Sequence, residues 1–232
     1  MKNRLKQIAE SYDKAIDLGR KGIDLYNELP DFITNDPNYK LFLEMRKDEN
    51  LSDSGRKEIY IYLSPKENKK FVDLGCCLNL MFRGYEKWKS TYYGVDISSK
   101  TIELLQEYTI KKNIRTGSLT CCSMHETPFA NSYFDIGTCI GSIEYFEKEF
   151  IGKVIEEINR IMKSKGKFVL DIPDVESPEF KITAKIEEYL GRPDKFNMSI
   201  MEFEEMIKKY FTIEKKEKVG PMIQYFILSR KI

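Results

Sequence analysis

Short runs of β-branched and aromatic residues alternate with amphipathic segments of helical period from Lys70 to the end of the chain. This alternation is typical of βαβ units, in which helices cover a mostly parallel sheet. Seven runs have the composition of strands, and they span residues 71–74, 92–97, 118–122, 134–140, 167–172, 211–219 and 223–229. The last two are joined at Gly220 and Pro221 with no helix between them, which predicts an antiparallel hairpin appended to the parallel sheet.

Amphipathic segments between the early strands predict helices at residues 78–88, 99–112 and 148–163. After the fifth strand, Pro173 and Pro178 interrupt the pattern, which resumes with Ile182 and Ile186 at helical spacing. This spacing predicts an additional helix within about residues 175–195, inserted before the next helix that covers the sheet.

The chain before residue 69 has a helical period instead. Leu5, Ile8, Tyr12 and Ile16 recur at the spacing of one helix face, and further helices are expected at about residues 39–45 and after Ser54. We therefore predict a helical N-terminal cap at residues 1–68 and a sheet domain at residues 69–232.

Charge and composition restrict the class of partner. Thirty-eight Lys and Arg residues against 37 Asp and Glu residues leave a formal charge of +1, which argues against non-specific binding to nucleic acid. No run reaches the roughly 18 apolar residues of a membrane helix, and the first residues are polar rather than signal-like. Five cysteines, four of them in adjacent pairs, do not suit a disulfide framework. We expect a cytoplasmic protein with a small-molecule partner and no membrane partner; the sequence carries no signal for an oligomeric state.

Two predicted strands end in residues suited to binding a nucleoside. Asp73 and Gly75 stand where the first strand runs into a turn, and Asp96 ends the second strand, 23 residues after Asp73. Ligands of open α/β sheets bind beyond the carboxyl ends of the strands. A glycine lets the backbone approach a ligand closely, and a carboxylate can accept both hydroxyls of a ribose. Asp96 is therefore the strongest single candidate for ligand binding.

Four segments of the chain resemble successive motifs of the class I S-adenosylmethionine-dependent methyltransferases. They are residues 73–76, 94–98, 127–135 and 156–166, in the order and spacing of that family. The resemblance covers roughly residues 69–230. It implies a Rossmann-like α/β fold with a seven-stranded, mostly parallel sheet, S-adenosylmethionine as the cofactor and S-adenosylhomocysteine as its product.

The same resemblance implies which residues contact the cofactor. They are Asp73 and Gly75 at the methionine end, with Cys76 and Cys77 in the loop that follows, Asp96 at the ribose, Ile97, Ser123 and Met124 around the adenine, and Cys139 and Ile140 near the amino group. The chain departs from the Gly-x-Gly-x-Gly pattern of the family at Cys77 and Asn79. Cys77 brings a side chain towards the cofactor, and Asn79 is expected to tolerate a left-handed backbone. Ser123 stands where the family often has an aspartate.

Methyl transfer from a sulfonium is a direct displacement, so alignment of the acceptor supplies much of the rate and a base is optional. An acceptor hydroxyl or ammonium must lose a proton, and Glu144 and Tyr145 follow the fourth strand at the expected site. We predict transfer to an oxygen, nitrogen or carbon of a small molecule, with Glu144 and Tyr145 as catalytic residues.

Two other functions stay open at this point. An RNA or protein methyltransferase would carry a basic surface beside the cofactor site, and a non-catalytic module that binds S-adenosylmethionine or S-adenosylhomocysteine would have a cleft occluded at Cys77. A dinucleotide site would need the Gly-x-Gly-x-x-Gly spacing, which Cys77 and Leu80 interrupt. No cysteine pair has the Cys-x-x-Cys spacing, so no metal site is predicted, and His125 is expected to have a surface or stacking role.

Overall fold

The computed structural model of the protein describes residues 2–47 and 56–231. Its strands are β1 (Lys70–Leu74), β2 (Thr91–Asp96), β3 (Thr116–Cys121), β4 (Phe134–Cys139), β5 (Met162–Pro173), β6 (Phe211–Val219) and β7 (Met222–Ser229). They form one sheet in the order β3-β2-β1-β4-β5-β7-β6. The first five strands are parallel, and β7 runs antiparallel to both β5 and β6. The predicted Rossmann-like sheet with a C-terminal hairpin is confirmed.

Nine α-helices lie within the described residues. They are α1 (Lys2–Gly19), α2 (Asp31–Thr34), α3 (Tyr39–Lys47), α4 (Arg56–Leu63), α5 (Asn79–Phe82), α6 (Ser99–Lys112), α7 (Lys148–Ile161), α8 (Pro178–Tyr189) and α9 (Ile200–Lys208). The helix α8 lies where the inserted helix was predicted. Ser54, after which a cap helix was expected, lies outside the described residues. The division of the chain into a cap and a sheet domain stays a prediction. None of these helices combines the length and the apolar character that crossing a membrane requires.

The predicted helix at residues 78–88 is wrong in extent. The helix α5 ends at Phe82, and a separate 3₁₀ turn spans Tyr85–Lys87. Gly84 lies between them with φ 65°, a left-handed conformation that ends an α-helix and that glycine adopts at little cost. The break leaves only one turn of helix after β1, so residues 79 and 83 stay close to the end of that strand.

Two apolar layers cover the two faces of the sheet. Val72 and Leu74 pack into the layer formed largely by α7, and Phe71 packs into the opposite layer. This alternation along β1 follows from the two-residue period of a strand. The helix α7 buries Ile151, Val154, Ile155 and Ile158, which share one face of the helix. The sheet is therefore buried on both faces, and the ends of its strands form a rigid edge.

The helix α1 lies across the carboxyl ends of the strands. Asp13 Oδ1 accepts from Ser98 Oγ at 2.6 Å and from the backbone N–H of Lys100 at 3.2 Å, at the start of α6. On the other side, Ser11 Oγ donates to the carbonyl of Leu190 at 2.8 Å, just after α8. These bonds fix α1 at both of its flanks, and its inner face covers the edge of the sheet.

Candidate functional site

A cleft of about 750 Å³, part of it open to solvent, lies beyond the carboxyl ends of β1, β2 and β4. Its lining comprises Gly75, Cys77, Asn79 and Arg83 after β1, residues 95–97 at the end of β2, residues 122–124 after β3, residues 140–142, Tyr145 and Phe146 after β4, and Leu5, Ile8 and Tyr12 from α1. The fold thus places the cleft where parallel α/β sheets bind ligands.

Most of the predicted site residues line this cleft. They are Gly75, Cys77, Asp96, Ile97, Ser123, Met124, Ile140 and Tyr145. Asp73, Cys76 and Cys139 are fully or almost fully buried and do not line it. Cys76 packs into the core on one side of the sheet, and the Cys139 thiol contacts Met124 Sδ at 3.8 Å. Glu144 lines an adjoining cavity instead.

Asp96 joins the ends of β1 and β2 through its two carboxylate oxygens. Oδ2 accepts from the backbone N–H of Cys77 at 2.8 Å, and Oδ1 accepts from the backbone N–H of Ser98 at 2.9 Å. Burial raises the pKa of Asp96 above its usual value, and these N–H donors oppose that effect. Each carboxylate oxygen can accept more than one hydrogen bond, so both retain capacity for hydroxyls of a ligand in the cleft.

Asp73 acts beneath the cleft. Its carboxylate accepts from Thr138 Oγ1 at 2.8 Å, from the Tyr92 hydroxyl at 3.0 Å and from Asn79 Nδ2 at 3.2 Å. Burial raises the pKa of Asp73 to about 7, although these donors act in the opposite direction. The structure therefore makes Asp73 the anchor of the loop that follows β1.

The loop after β1 contains two residues with left-handed backbones. Gly75 has φ 66°, and a Cβ built on it would lie 2.2 Å from Ser142 Oγ, so only glycine fits there without displacing that side chain. Cys77 has φ 39°, whereas Asn79 is helical, so the left-handed conformation expected at Asn79 falls on Cys77 instead. Burial raises the pKa of the Cys77 thiol to about 12, so it faces the cleft as a neutral group. The cleft is present beside Cys77, and this side chain does not close it.

Arg83 is a cleft residue that sequence reasoning missed. Its Nε donates to Asn79 Oδ1 at 2.8 Å, and Asn79 in turn donates to Asp73. Among the cleft-lining residues that the structure describes, Arg83 is the one Lys or Arg side chain. The four-residue spacing from Asn79 was an available signal, because residues four apart meet on one helix face.

Tyr145 belongs to a buried hydrogen-bonded cluster at the wall of the cleft. Its hydroxyl lies 3.2 Å from the Tyr12 hydroxyl and donates to Glu187 Oε2 at 3.4 Å. Arg192 Nε donates to Glu187 Oε2 at 2.6 Å, and the Tyr26 hydroxyl donates to Glu187 Oε1 at 2.8 Å. Burial raises the pKa of Tyr145 well above its usual value, so the hydroxyl stays protonated. Only Tyr145 of this cluster was singled out as catalytic from the sequence.

Glu144 has its carboxyl in a cavity of about 360 Å³ next to the cleft. Asp194, Glu187 and Tyr145 also line this cavity, so Tyr145 separates the two spaces. Glu144 Oε2 is buried and has no hydrogen-bond partner in the described part of the chain. Burial, and then the nearby Asp171 and Asp194 carboxylates, raise the pKa of Glu144 well above its usual value.

The surroundings of His125 are a serine and an aromatic ring. His125 Nδ1 lies 2.6 Å from Ser123 Oγ, and the ring packs at a tilt against Phe150 with centroids 4.9 Å apart. Across residues 2–47 and 56–231, no group of three or more His, Cys, Asp or Glu side chains is arranged to hold a metal ion.

Comparison with known proteins finds similarity to methyltransferases. A family model described as a methyltransferase domain matches residues 72–170. An uncharacterized protein of Methanocaldococcus jannaschii is 27% identical over 176 residues, which are 75% of this chain and 64% of that protein. An uncharacterized methyltransferase of Bacillus subtilis is 22% identical over 163 residues, which are 69% of this chain and 62% of that protein. The chain thus spans less than two thirds of the length of these two relatives.

Solved structures share the fold. The geranyl diphosphate C-methyltransferase of Streptomyces coelicolor, crystallised with Mg²⁺, geranyl-S-thiolodiphosphate and S-adenosylhomocysteine, has a TM-score of 0.62 and 14% identity. The match covers 77% of this chain and 76% of that chain. Together with the family match, this fold confirms the resemblance that the four sequence motifs predicted.

Proposed function

We propose that this chain transfers a methyl group from S-adenosylmethionine to a small-molecule acceptor. The grounds are the match to a methyltransferase domain over residues 72–170 and a sheet of the class I, S-adenosylmethionine-dependent type. The observation that carries the proposal is Asp96, a buried carboxylate at the end of β2 that lines the cleft and has both oxygens oriented by backbone N–H donors. A carboxylate held in this way accepts the two hydroxyls of a ribose.

The residues present fit the cofactor along the length of the cleft. Asp96 would hold the ribose, and the apolar side chains of Ile97 and Met124 would contact the adenine, with Ser123 at its edge. The turn at Gly75 presents backbone without a side chain where the methionine end approaches. When bound, S-adenosylmethionine supplies a methyl group that is already activated, so the protein contributes alignment and exclusion of water.

A small acceptor is favoured over a polymer. The helix α1 covers the cleft, and Tyr12 and Tyr145 close its acceptor side. The neighbouring cavity at its rim mixes cations with carboxylates rather than forming a basic track; Arg4, Lys153 and Lys195 line it together with Glu147 and Glu149. The Streptomyces coelicolor enzyme of the same fold is named for a small-molecule substrate, geranyl diphosphate, which agrees with this choice.

Tyr145 is the proposed catalytic residue nearest the acceptor. Its hydroxyl is fixed between Tyr12 and Glu187, so it can orient an acceptor oxygen or nitrogen by a hydrogen bond. Glu144, whose carboxyl lies in the adjoining cavity behind Tyr145, is the proposed proton acceptor for an acceptor group that must lose a proton. An acceptor carbon that loses no proton would need only the alignment.

Calorimetric titration of the purified chain with S-adenosylmethionine and S-adenosylhomocysteine tests the proposal. We expect micromolar binding of both ligands, reduced by at least about 10-fold in Asp96→Ala because two hydrogen bonds to a charged group are lost. Asp31→Ala, the same substitution at an exposed residue of α2, is the matched control and should bind like the parent chain. Absence of binding of either ligand to the parent chain would contradict the proposal.

A further inference from the structure

The cleft has opposite charges at two separate points. Asp96 lies at the end of β2, and Arg83 follows α5 on the side of β1. Among the described residues that line the cleft, they are the one carboxylate and the one cation. A ligand that fills the cleft therefore meets an acceptor of hydrogen bonds at one point and a guanidinium at another.

Arg83 is held by side chains rather than left free to move. Asn79 Oδ1 accepts from Arg83 Nε at 2.8 Å, and Asn79 Nδ2 donates to Asp73 Oδ2 at 3.2 Å. Asp73 is itself fixed by Thr138 and Tyr92. This series of hydrogen bonds, from Asp73 through Asn79 to Arg83, depends on the asparagine side chain. The family has its third glycine at this position, and a glycine could not make these bonds.

The feature of Arg83 that points to a ligand is the outer edge of its guanidinium. Within residues 2–47 and 56–231, its two terminal nitrogens have neither a hydrogen-bond acceptor nor a carboxylate within ion-pair distance. Its charge is nevertheless felt nearby, because it lowers the pKa of the buried Asp73 and Asp171 carboxyls and of the Cys77 thiol against the effect of burial. A planar pair of N–H donors with no partner, at the wall of a ligand cleft, matches the two oxygens of a carboxylate.

We propose that Arg83, positioned by Asn79, binds the carboxylate at the amino-acid end of the cofactor and makes the site selective for ligands that retain that carboxylate. The inference rests on the proposed function and deepens it, because it assigns a ligand contact to a side chain outside the four family motifs. It also gives a role to the asparagine that replaces a glycine in this loop, because the Asn79 side chain holds the Arg83 guanidinium at the cleft.

Calorimetric titration of the whole chain with two ligands isolates this contact. The first is S-adenosylhomocysteine, and the second is S-adenosyl-3-thiopropylamine, which keeps the adenosine, thioether and amine but lacks the carboxylate. The variants are Arg83→Met, which removes the charge, Arg83→Lys, which keeps it without the planar fork, and Asn79→Ala, which releases the guanidinium. Lys87→Met, at an exposed residue in the adjacent 3₁₀ turn, is the matched control.

We expect the parent chain to bind S-adenosylhomocysteine about 10-fold to 100-fold more tightly than the amine analogue, the range for a hydrogen bond between charged groups. Arg83→Met should abolish this preference by weakening only S-adenosylhomocysteine, Arg83→Lys and Asn79→Ala should reduce it, and Lys87→Met should leave it intact. Thermal unfolding checks that each variant is folded, and the Lys and Ala variants carry the comparison if the Met variant does not fold.

Two results would overturn the assignment in different ways. If the variants bind both ligands with the preference of the parent chain unchanged, Arg83 does not contact the carboxylate, and the proposed function stands. If the parent chain binds neither ligand, the assignment fails together with the proposed function.

Discussion

The backbone N–H of Cys77 donates to Oδ2 of Asp96 at 2.8 Å, so the loop after β1 and the end of β2 are linked at the floor of the cleft. This bond requires Cys77 to take a left-handed backbone with φ 39°. The residue that replaces a glycine of the family pattern therefore keeps the conformation for which glycine is suited. Its side chain then occupies part of the cleft wall.

Substitutions at Cys77 should separate side-chain volume from backbone strain. Cys77→Ala removes the thiol and should change the affinity for S-adenosylhomocysteine by less than about threefold. Cys77→Val puts a β-branched residue at positive φ and should lower the free energy of unfolding by about 1 to 2 kcal/mol, with a clear loss of ligand affinity. Urea unfolding and calorimetric titration measure the two effects. Equal behaviour of the two variants would show that neither strain nor volume at this position matters.

The pKa of Asp171 predicts a pH dependence of stability. Asp171 is buried, accepts from the backbone N–H of Gly141 at 2.8 Å, and has a pKa raised to about 6 by burial. In the unfolded chain this carboxyl has its ordinary pKa of 3.8. The contribution of Asp171 to the free energy of unfolding therefore falls as the pH rises from about 4 to about 6, and it is constant above that range.

The variant Asp171→Asn keeps an oxygen for the Gly141 N–H and removes the ionisation. It should therefore be more stable than the parent chain at pH 8 by about 1 to 3 kcal/mol and should match it near pH 4. Urea unfolding at a series of pH values measures the difference. A difference that does not change with pH would mean that Asp171 ionises normally in the folded protein.

Tyr145→Phe should lower turnover without affecting cofactor binding. The substitution removes the hydroxyl that lies 3.2 Å from the Tyr12 hydroxyl and donates to Glu187, but it keeps the ring that lines the cleft. With an acceptor found by screening small molecules, we expect kcat to fall about 10-fold to 100-fold while the Kd of S-adenosylhomocysteine changes less than threefold, as for loss of one orienting hydrogen bond. A Kd change as large as the kcat change would place Tyr145 at the cofactor rather than at the acceptor.

Asp13→Ala should speed the release of S-adenosylhomocysteine. Asp13 accepts from Ser98 Oγ and from the Lys100 N–H, and these bonds hold α1 over the cleft. Loss of these hydrogen bonds should destabilise the position of α1 over the cleft by about 1 kcal/mol or somewhat more. We expect the dissociation rate of S-adenosylhomocysteine to rise about 3-fold to 10-fold in stopped-flow measurements. The matched control is Glu10→Ala, at an exposed residue of the same helix whose ion pair with Lys6 lies in solvent. Identical rates in the two variants would argue that α1 does not gate the cleft.

Much of this architecture could be predicted from the sequence because its signals are local. Strand runs, the helices α6 and α7, and the C-terminal hairpin follow from hydrophobic period and turn residues. Asp96 could be assigned because parallel strands bring their carboxyl ends to one edge, whatever the details of the loops.

The remaining features depend on contacts between distant segments. Tyr12, Tyr145 and Arg192 come together only when α1 and the chain after α8 pack against the loop after β4. The break after α5 depends on the left-handed Gly84, and glycine alone in a sequence does not reveal which conformation it takes. The sequence also could not predict that Glu144 lies in a cavity separate from the cleft. Neighbouring side chains in a loop have no regular orientation that a sequence pattern would reveal.

A crystal structure of the chain with S-adenosylhomocysteine would test the central claim most directly. We predict that the ribose hydroxyls lie within hydrogen-bond distance of the Asp96 carboxylate and that the adenine contacts Ile97 and Met124. Density for the ligand outside this cleft, or a ribose that makes no contact with Asp96, would contradict the assignment of the site.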